Sequence, residues 1–168
     1  MTASTQVTTD RLELRPLPSA AARALPSDRP TAARLLDATL SPDWPQYDLL
    51  DVLPMQATAD AAAERFGVWV MIERGGRQVI GDVGFMGPPG RDGSVEVGYS
   101  VVPERRRRGY ATEAVDAVVA WALRQPGVSQ VIAQCDAGNE SSIRTLERTG
   151  FRRTGEAGGR LAWRIGRP

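Results

Sequence analysis

The chain has 168 residues, a length that suits one domain, and its formal net charge at pH 7 is only +1. This balance excludes a global positive field that would attract nucleic acid or an anionic membrane. The chain contains no His and no Lys, so all 21 basic residues are Arg. Histidine-activated nucleophiles, histidine metal sites, Schiff bases and the phosphate-binding lysine of P-loops are therefore excluded.

The composition is that of an ordinary folded protein, with 42% apolar and 24% charged residues. The segment from Met1 to Asp10 is polar and lacks the apolar core of a secretion signal. Cys135 is the only cysteine, so no disulfide forms within the chain. We expect a cytoplasmic, single-domain protein (residues 1–168), monomeric or homodimeric, without metal, nucleic acid or membrane among its partners.

The first part of the chain predicts one strand followed by an irregular helical region. Between Thr9 and Leu17, Leu12 and Leu14 alternate with charged residues, which indicates a half-buried strand. Residues 19–63 are rich in Ala and repeatedly interrupted by Pro, which favours short helices joined by turns. Aromatic and acidic side chains in this region suit a lid over a substrate or a cap on the core.

The middle of the chain predicts an antiparallel meander. Its three strands, separated by glycine-rich turns, run from Phe66 to Glu73, from Gln78 to Met86 and from Ser94 to Val102. A long helix from Ala111 to Arg124 follows, and its apolar residues recur at helical spacing.

The remaining elements complete the sheet. Because the long helix is a crossover connection, the buried strand from Gln130 to Cys135 is expected to lie parallel to the strand 94–102. A short helix near 141–149 and two strands near 152–156 and 160–165 end the chain. The pattern predicts a mixed sheet flanked by helices.

An arginine-rich turn joins the third meander strand to the long helix. Pro103 ends the strand, and Gly109 follows a run of arginines at 105–108. Unpaired N–H groups and the positive end of the helix dipole favour a phosphate, and Gly109 lets the backbone approach it. The turn therefore predicts a diphosphate site, with a solvated basic turn or a nucleic-acid patch as alternatives.

Two motifs at family spacing resemble the GNAT superfamily of acyl-CoA N-acyltransferases. The signature Gln/Arg-x-x-Gly-x-Gly/Ala is met by Arg106, Gly109 and Ala111. A second element is met by Asn139, Ser142, Glu147, Gly150 and Phe151. The resemblance covers about residues 9–165, and the stretches TDRLELRPL and GYATEA are most similar to the branch that contains the ribosomal-protein N-terminal acetyltransferases.

The resemblance implies an α/β (α+β) fold, the GNAT fold. In it, helices flank a mixed, mostly antiparallel sheet of about six to seven strands whose parallel pair splays at the coenzyme A site. It also implies acetyl-CoA as cosubstrate and an amine as acceptor. The diphosphate would bind the turn amides, and the pantetheine arm would pair near Val101 and Val102. The implied cofactor-binding residues are Val101, Val102, Arg106, Arg107, Arg108, Gly109, Tyr110, Ala111, Thr112, Asn139 and Ser142. Arg105, Arg107 or Arg108 would reach the ribose phosphate.

The implied reaction is direct attack of a neutral primary amine on the thioester in a ternary complex. At pH 7 deprotonation costs roughly 1 kcal/mol for an α-amino group but over about 4 kcal/mol for a lysine side chain. Without His the base would be a carboxylate, and Glu96 resembles the family's general base in position. A solvated or ion-paired Glu96 is the alternative.

The chain departs from the family at Leu146, where many members carry a tyrosine as general acid. Ser141 or Ser142 would instead donate a hydrogen bond to the leaving thiolate, or the thiolate would leave unprotonated. Cys135, alone in an apolar strand, is expected to be buried and inert. The alternative function is an acyl-CoA-binding sensor or scaffold without turnover. The acceptor, a protein N-terminus, a lysine or a small-molecule amine, stays open.

Overall fold

A nine-stranded sheet forms the centre of the molecule. The computed structural model describes residues 5–167, so the first four residues of the predicted polar N-terminal segment lie outside the described residues. The strands are β1 Val7–Thr8, β2 Leu12–Pro16, β3 Thr39–Leu40, β4 Val68–Glu73, β5 Gln78–Phe85, β6 Ser94–Val101, β7 Gln130–Asp136, β8 Arg152–Ala157 and β9 Arg160–Gly166. The helices are α1 Ser19–Ala24, α2 Arg29–Leu36, α3 Tyr47–Leu50, α4 Leu53–Ala57, α5 Ala61–Arg65, α6 Tyr110–Leu123 and α7 Glu140–Arg148.

The sheet order is β1-β2-β4-β5-β6-β7-β9-β8, with β3 beside β5. All pairings along the main path are antiparallel except β6–β7, which is parallel as the crossover through α6 requires. The predicted mixed, mostly antiparallel sheet with one parallel pair at its centre is therefore confirmed. The pairs β1–β2 and β3–β5 were not predicted, since strands of two residues carry no alternating pattern.

Short helices occupy the proline-rich region, as predicted. Asp28 caps α2, its carboxylate accepting a hydrogen bond from the backbone N–H of Thr31 at 3.1 Å, and Asp60 caps α5 in the same way. Prolines stand in the first turns of α2 and α4, where no backbone donor is lost. These signals divide the region into pieces of four to eight residues.

Strand β5 shows how the two faces of the sheet differ. Val83 and Phe85 point toward α6, where the rings of Phe85 and Trp121 are 6.0 Å apart. Asp82 and Gly84 alternate to the opposite face, toward α3 and α4. The core is one cluster of buried residues, and α6 contributes its fully buried stripe to it. Among the described residues, no helix combines the length and apolar character needed to span a bilayer.

Candidate active site

A gap opens between the parallel strands β6 and β7. They pair only where Ser94 to Glu96 lie beside Gln130 to Ile132, and β6 then continues alone to Val101. Toward β5, the carbonyl of Glu96 accepts from Met86 N and the N–H of Val102 donates to Ile80 O. The alternation of an antiparallel ladder then turns the backbone groups of Tyr99 and Val101, which lie beyond the pairing with β7, into the gap. This open strand edge suits an extended ligand with amide groups.

The two valines predicted to pair with the pantetheine arm differ in position. Val101 lines the cleft, although its carbonyl already accepts a hydrogen bond from Arg106 Nε at 2.9 Å. Val102 is fully buried, and its N–H donates to Ile80 O at 2.9 Å. The N–H of Val102 is therefore not available to the pantetheine arm, because the ladder to β5 already uses it.

The turn before α6 presents a row of free donors. Gly109 adopts a φ of 82°, and α6 begins at Tyr110. Within residues 5–167, the backbone N–H groups of residues 107–112 donate no hydrogen bond to the protein. Most of the turn lines a cleft of about 610 Å³. The predicted anion cradle is thus made of backbone donors at a helix N-terminus.

The turn arginines do not act alike. Arg105, Arg106 and Arg107 line the cleft, while Arg108 does not. Arg106 bridges the Val101 carbonyl and Gln46 Oε1, 3.3 Å from its Nη2. The carbonyl of Arg108 accepts from the Arg11 guanidinium at 2.8 Å. The expectation that Arg108 reaches the cofactor finds no support in its position.

A network of polar side chains that the sequence did not predict stabilises the turn before α6. Tyr110 donates its hydroxyl proton to Glu73 Oε2 at 2.6 Å, and Arg105 Nε lies 3.2 Å from the same oxygen. The Tyr110 hydroxyl, with Arg105, holds the pKa of Glu73 below its usual value. Arg11 stacks 4.1 Å from the Tyr110 ring centroid and pairs with Glu113. The start of α6 is therefore fixed to β2 and β4.

The opposite wall of the cleft is the N-terminal part of α7. Asn139 caps this helix, its Oδ1 accepting from the N–H of Ser142 at 3.1 Å. Ser141 and Ser142 line the cleft, as predicted, whereas Leu146 is fully buried. The Tyr99 hydroxyl lies 3.5 Å from the Ser142 carbonyl. Burial raises the pKa of Tyr99, which keeps its proton in place.

A second cavity of about 230 Å³ adjoins the cleft on the side of α3 and α4. Asp48, Tyr99, Ser100 and Ser142 line both spaces. The two spaces therefore meet at these four residues. Tyr99 and Asp82, which lines only the second cavity, were not singled out from the sequence, since both lie inside strands whose pattern indicated packing.

The region 19–63 caps the core and also covers the two spaces. Trp44 is buried, and its Nε1 donates to Asp82 Oδ2 at 3.0 Å. Gln46 accepts hydrogen bonds from the Ser100 hydroxyl and from Arg106. Leu49 is buried, while Tyr47 is 88% exposed. The segment therefore caps the core, and part of it lines both spaces, while its role as a substrate lid stays a prediction.

Glu96, the predicted base, is half-buried on the same face of β6 as Gly98 and Ser100. It lines neither the cleft nor the second cavity.

Cys135 is buried, and no cluster of three or more His, Cys, Asp or Glu that would hold a metal ion occurs between residues 5 and 167.

The fold, with its splayed parallel pair and N–H cradle, is that of a GNAT-type acyltransferase. Residues 11–152 match the family model of the acetyltransferase (GNAT) domain, and the chain belongs to this family. It is similar to the uncharacterized N-acetyltransferase YjdG of Bacillus subtilis (strain 168), with 28% identity over 146 residues that cover 85% of this chain and 87% of that protein.

Solved structures share the fold at low sequence identity. The ribosomal-protein-S5-alanine acetyltransferase from Vibrio fischeri superposes with a TM-score of 0.66 at 17% identity, covering 97% of both chains. The microcin C7 self-immunity acetyltransferase MccE, solved with acetyl-CoA and AMP, superposes with a TM-score of 0.67 at 15% identity, covering 94% of this chain and 93% of that one.

Proposed function

We propose that this acetyltransferase, a single domain over residues 1–168, transfers the acetyl group of acetyl-CoA to a primary amine by direct attack in a ternary complex. One observation carries the proposal: the cleft with the free N–H row at residues 107–112 meets a second cavity at Ser100 and Ser142. Two adjoining spaces allow thioester and amine to be bound together. A covalent acyl-enzyme is disfavoured, since Cys135 is buried and the chain has no His to activate it.

The residues of the cleft fit the parts of coenzyme A. The diphosphate would accept hydrogen bonds from the amides of residues 107–112, where the helix dipole adds to the attraction. The pantetheine amides would pair with the backbone groups of Tyr99 and with the N–H of Val101, since the Val101 carbonyl already accepts from Arg106. Arg105 and Arg107 stand at the cleft to meet the ribose phosphate.

The thioester would lie where the two spaces join. Ser142 lines both, and Ser141 lines the cleft, so either hydroxyl is placed to donate a hydrogen bond to the leaving sulfur. Asn139 holds the loop by capping α7. Glu96 is the base predicted from the sequence, but it lines neither cavity, so another carboxylate is a second candidate for the base.

The acceptor is a primary amine of one of three kinds: a protein N-terminus, a lysine side chain or a small-molecule amine. The Vibrio fischeri structure is that of a ribosomal-protein acetyltransferase, which favours a protein α-amino group as the first acceptor to test. The small volume of the second cavity, about 230 Å³, admits only the amine-bearing end of such a chain.

A thermal-shift titration with acetyl-CoA, free coenzyme A and a short RNA tests the cleft, and thiol release against a panel of amines tests turnover. We expect stabilisation by acetyl-CoA and coenzyme A, none by RNA, and thiol release that depends on an amine. Absence of stabilisation by acetyl-CoA would overturn the proposal. Stabilisation without thiol release for any amine would instead identify a sensor or scaffold.

A further inference from the structure

Asp82 stands beside the point where the cleft and the second cavity join. It lies in the middle of β5, paired with Ser100 on β6 and with Val70 on β4. Side chains of directly paired residues share a face, with Cβ atoms about 5 Å apart. Because Ser100 lines both spaces, Asp82 is one strand away from the expected thioester.

One carboxyl oxygen of Asp82 is held, and the other is free. Oδ2 accepts a hydrogen bond from Trp44 Nε1 at 3.0 Å, and Trp44 itself is only 1% exposed. In the part of the chain that the structure describes, Oδ1 accepts no hydrogen bond and Asp82 forms no ion pair. A buried indole thus orients the carboxyl group and leaves one oxygen for a ligand.

The cavity around Asp82 suits the end of a cationic amine. Its walls include the apolar side chains of Leu49, Val52 and Phe85, with Asp48 as a second carboxylate. The volume of about 230 Å³ is enough to hold several water molecules. An ammonium group entering this space exchanges water for two carboxylates.

We propose, on the basis of the acetyl-transfer function proposed above, that Asp82 is the catalytic base that takes the proton from the acceptor ammonium. Of the three ammonium protons, the first passes to Oδ1, directly or through one water. The nitrogen lone pair then forms the C–N bond with the thioester carbon as the C–S bond breaks. The second proton ends on the coenzyme A thiol, the third stays on the amide, and Asp82 releases its proton to solvent.

The electrostatics of the site support this role. Burial, opposed by the Trp44 hydrogen bond and reinforced by the charge of Asp48, raises the pKa of Asp82 to about 7. A base with a pKa near the working pH is the most effective. An α-amino group, with a pKa near 8, lies within about one unit of it, whereas a lysine side chain lies more than about three units above it. An α-amine is therefore the first acceptor to use as a probe.

The other charged groups on this face are two carboxylates and two arginines that bond elsewhere. Asp48 faces Asp82 from α3, and Glu96 lies further along β6. Arg15 shares the face from β2, but it donates to the Leu36 carbonyl and lies 3.3 Å from Glu13. Arg106 bonds to Val101 and Gln46. No described arginine therefore neutralises Asp82 directly.

The test compares the pH dependence of kcat/KM for the wild type, Asp82→Asn and Glu96→Gln with the amine that the wild type turns over fastest. Asn keeps an oxygen acceptor for Trp44 but takes up no proton. We expect Asp82→Asn to lower kcat/KM about 100-fold or more and to remove the rise in rate around pH 7. Glu96→Gln is expected to lose less and to keep that rise.

Two controls make the result specific. The thermal shift with acetyl-CoA should stay unchanged in Asp82→Asn, which shows an intact fold and cleft. Asp51→Asn removes an exposed carboxylate that lines neither space, and it should leave the profile unchanged.

Each outcome decides between two claims. Turnover that Asp82→Asn retains within about threefold, or a pH limb that disappears in Glu96→Gln instead, would overturn the role of Asp82 while acetyl transfer stands. Failure of the wild type to release thiol with any amine would overturn the proposed function and the role of Asp82 with it.

Discussion

The cleft and the second cavity are built from different parts of the polypeptide. The cleft wall is a continuous turn whose donors are backbone N–H groups, with Gly109 at its end. The second cavity is assembled from side chains of α3, β5 and β6, with Asp82 and Asp48 far apart in the chain. A site made of backbone groups requires particular residue types at fixed positions within one short segment. A site made of side chains depends instead on strand register and on packing between distant segments. The two sites should therefore respond differently to substitution.

The largest expected effect is on the backbone-built wall. Gly109→Val places a β-branched residue at a φ of 82°, where its Cβ would meet Arg11 Nη2 at 3.4 Å. Such a conformation costs about 1–3 kcal/mol, so the helix start would shift and misalign its N–H groups. We expect the Kd for acetyl-CoA, measured by calorimetry, to rise about 10- to 100-fold.

The matched control for Gly109→Val is Arg108→Ala, since Arg108 does not line the cleft. Removal of its exposed charge should change the Kd by about threefold at most. A larger loss of affinity in Arg108→Ala than in Gly109→Val would show that arginine side chains, rather than backbone donors, make the cradle.

The next prediction concerns the side-chain-built cavity and uses stability rather than turnover. The pKa of Asp82 in the folded protein, about 7, is above its value of about 3.8 in an unfolded chain. Between pH 4 and 7 the folded state therefore holds more protons, and the free energy of unfolding falls as pH rises. In Asp82→Asn the side chain does not titrate, so this fall in the free energy of unfolding is absent. We expect the variant to gain about 1–2 kcal/mol over the wild type at pH 8, a value discounted for water in the cavity.

Urea unfolding at pH 5 and pH 8 measures this gain. The difference in free energy of unfolding between Asp82→Asn and the wild type should widen toward pH 8 and stay constant above it. For Asp51→Asn, an exposed carboxylate, the gap should be the same at both values. A gap for Asp82→Asn that does not depend on pH would mean that Asp82 is an ordinary, fully ionised carboxylate.

A smaller effect is expected beneath the cradle. Tyr110→Phe removes the hydroxyl that donates to Glu73 at 2.6 Å while keeping the ring under Arg11. We expect a loss of about 1–2 kcal/mol at pH 7, because a partly buried carboxylate loses a donor. The pKa of Glu73 is lowered in the folded state, so this contribution is present above pH 4.5 and vanishes as pH falls through the lowered value.

Unfolding of Tyr110→Phe by urea at a series of pH values from 7 downward checks both parts of that prediction. Tyr47→Phe is the matched control, since Tyr47 is 88% exposed, and it should leave stability unchanged. A loss for Tyr110→Phe that stays constant over the whole acid range in which the protein folds would show that packing of the hydroxyl, and not its bond to an ionised Glu73, is responsible.

The sequence predicted the sheet because its signals are local. Apolar runs in β4 and β5, alternation in β6, the glycine turns between these strands and the crossover helix predict strand direction without tertiary information. The two-residue strands β1 and β3 escaped prediction, since their pairing depends on what the rest of the chain places beside them.

The cleft was predicted better than the cavity for the same reason. Gly109 and the helix start lie within one stretch of sequence, whereas only the register shows that the N–H of Val102 bonds to β5. Asp82 was not predicted as a site residue, because it lies in a strand of mostly apolar residues. Its importance follows from its pairing with Ser100 and from the indole of Trp44, which comes from a distant loop.

The smallest predicted effect concerns Asn139, and it distinguishes a role in stabilising the cleft wall from direct contact with the cofactor. Asn139 caps α7 through Oδ1, which accepts from the N–H of Ser142. Asn139→Ala should lower stability by about 1 kcal/mol and, by loosening the cleft wall, weaken acetyl-CoA binding a few-fold. Asn139→Asp keeps the cap oxygen and should restore both. If Asn139 instead donated its amide protons to the pantetheine arm, Asn139→Asp would keep the stability measured by urea unfolding and lose the affinity measured by calorimetry.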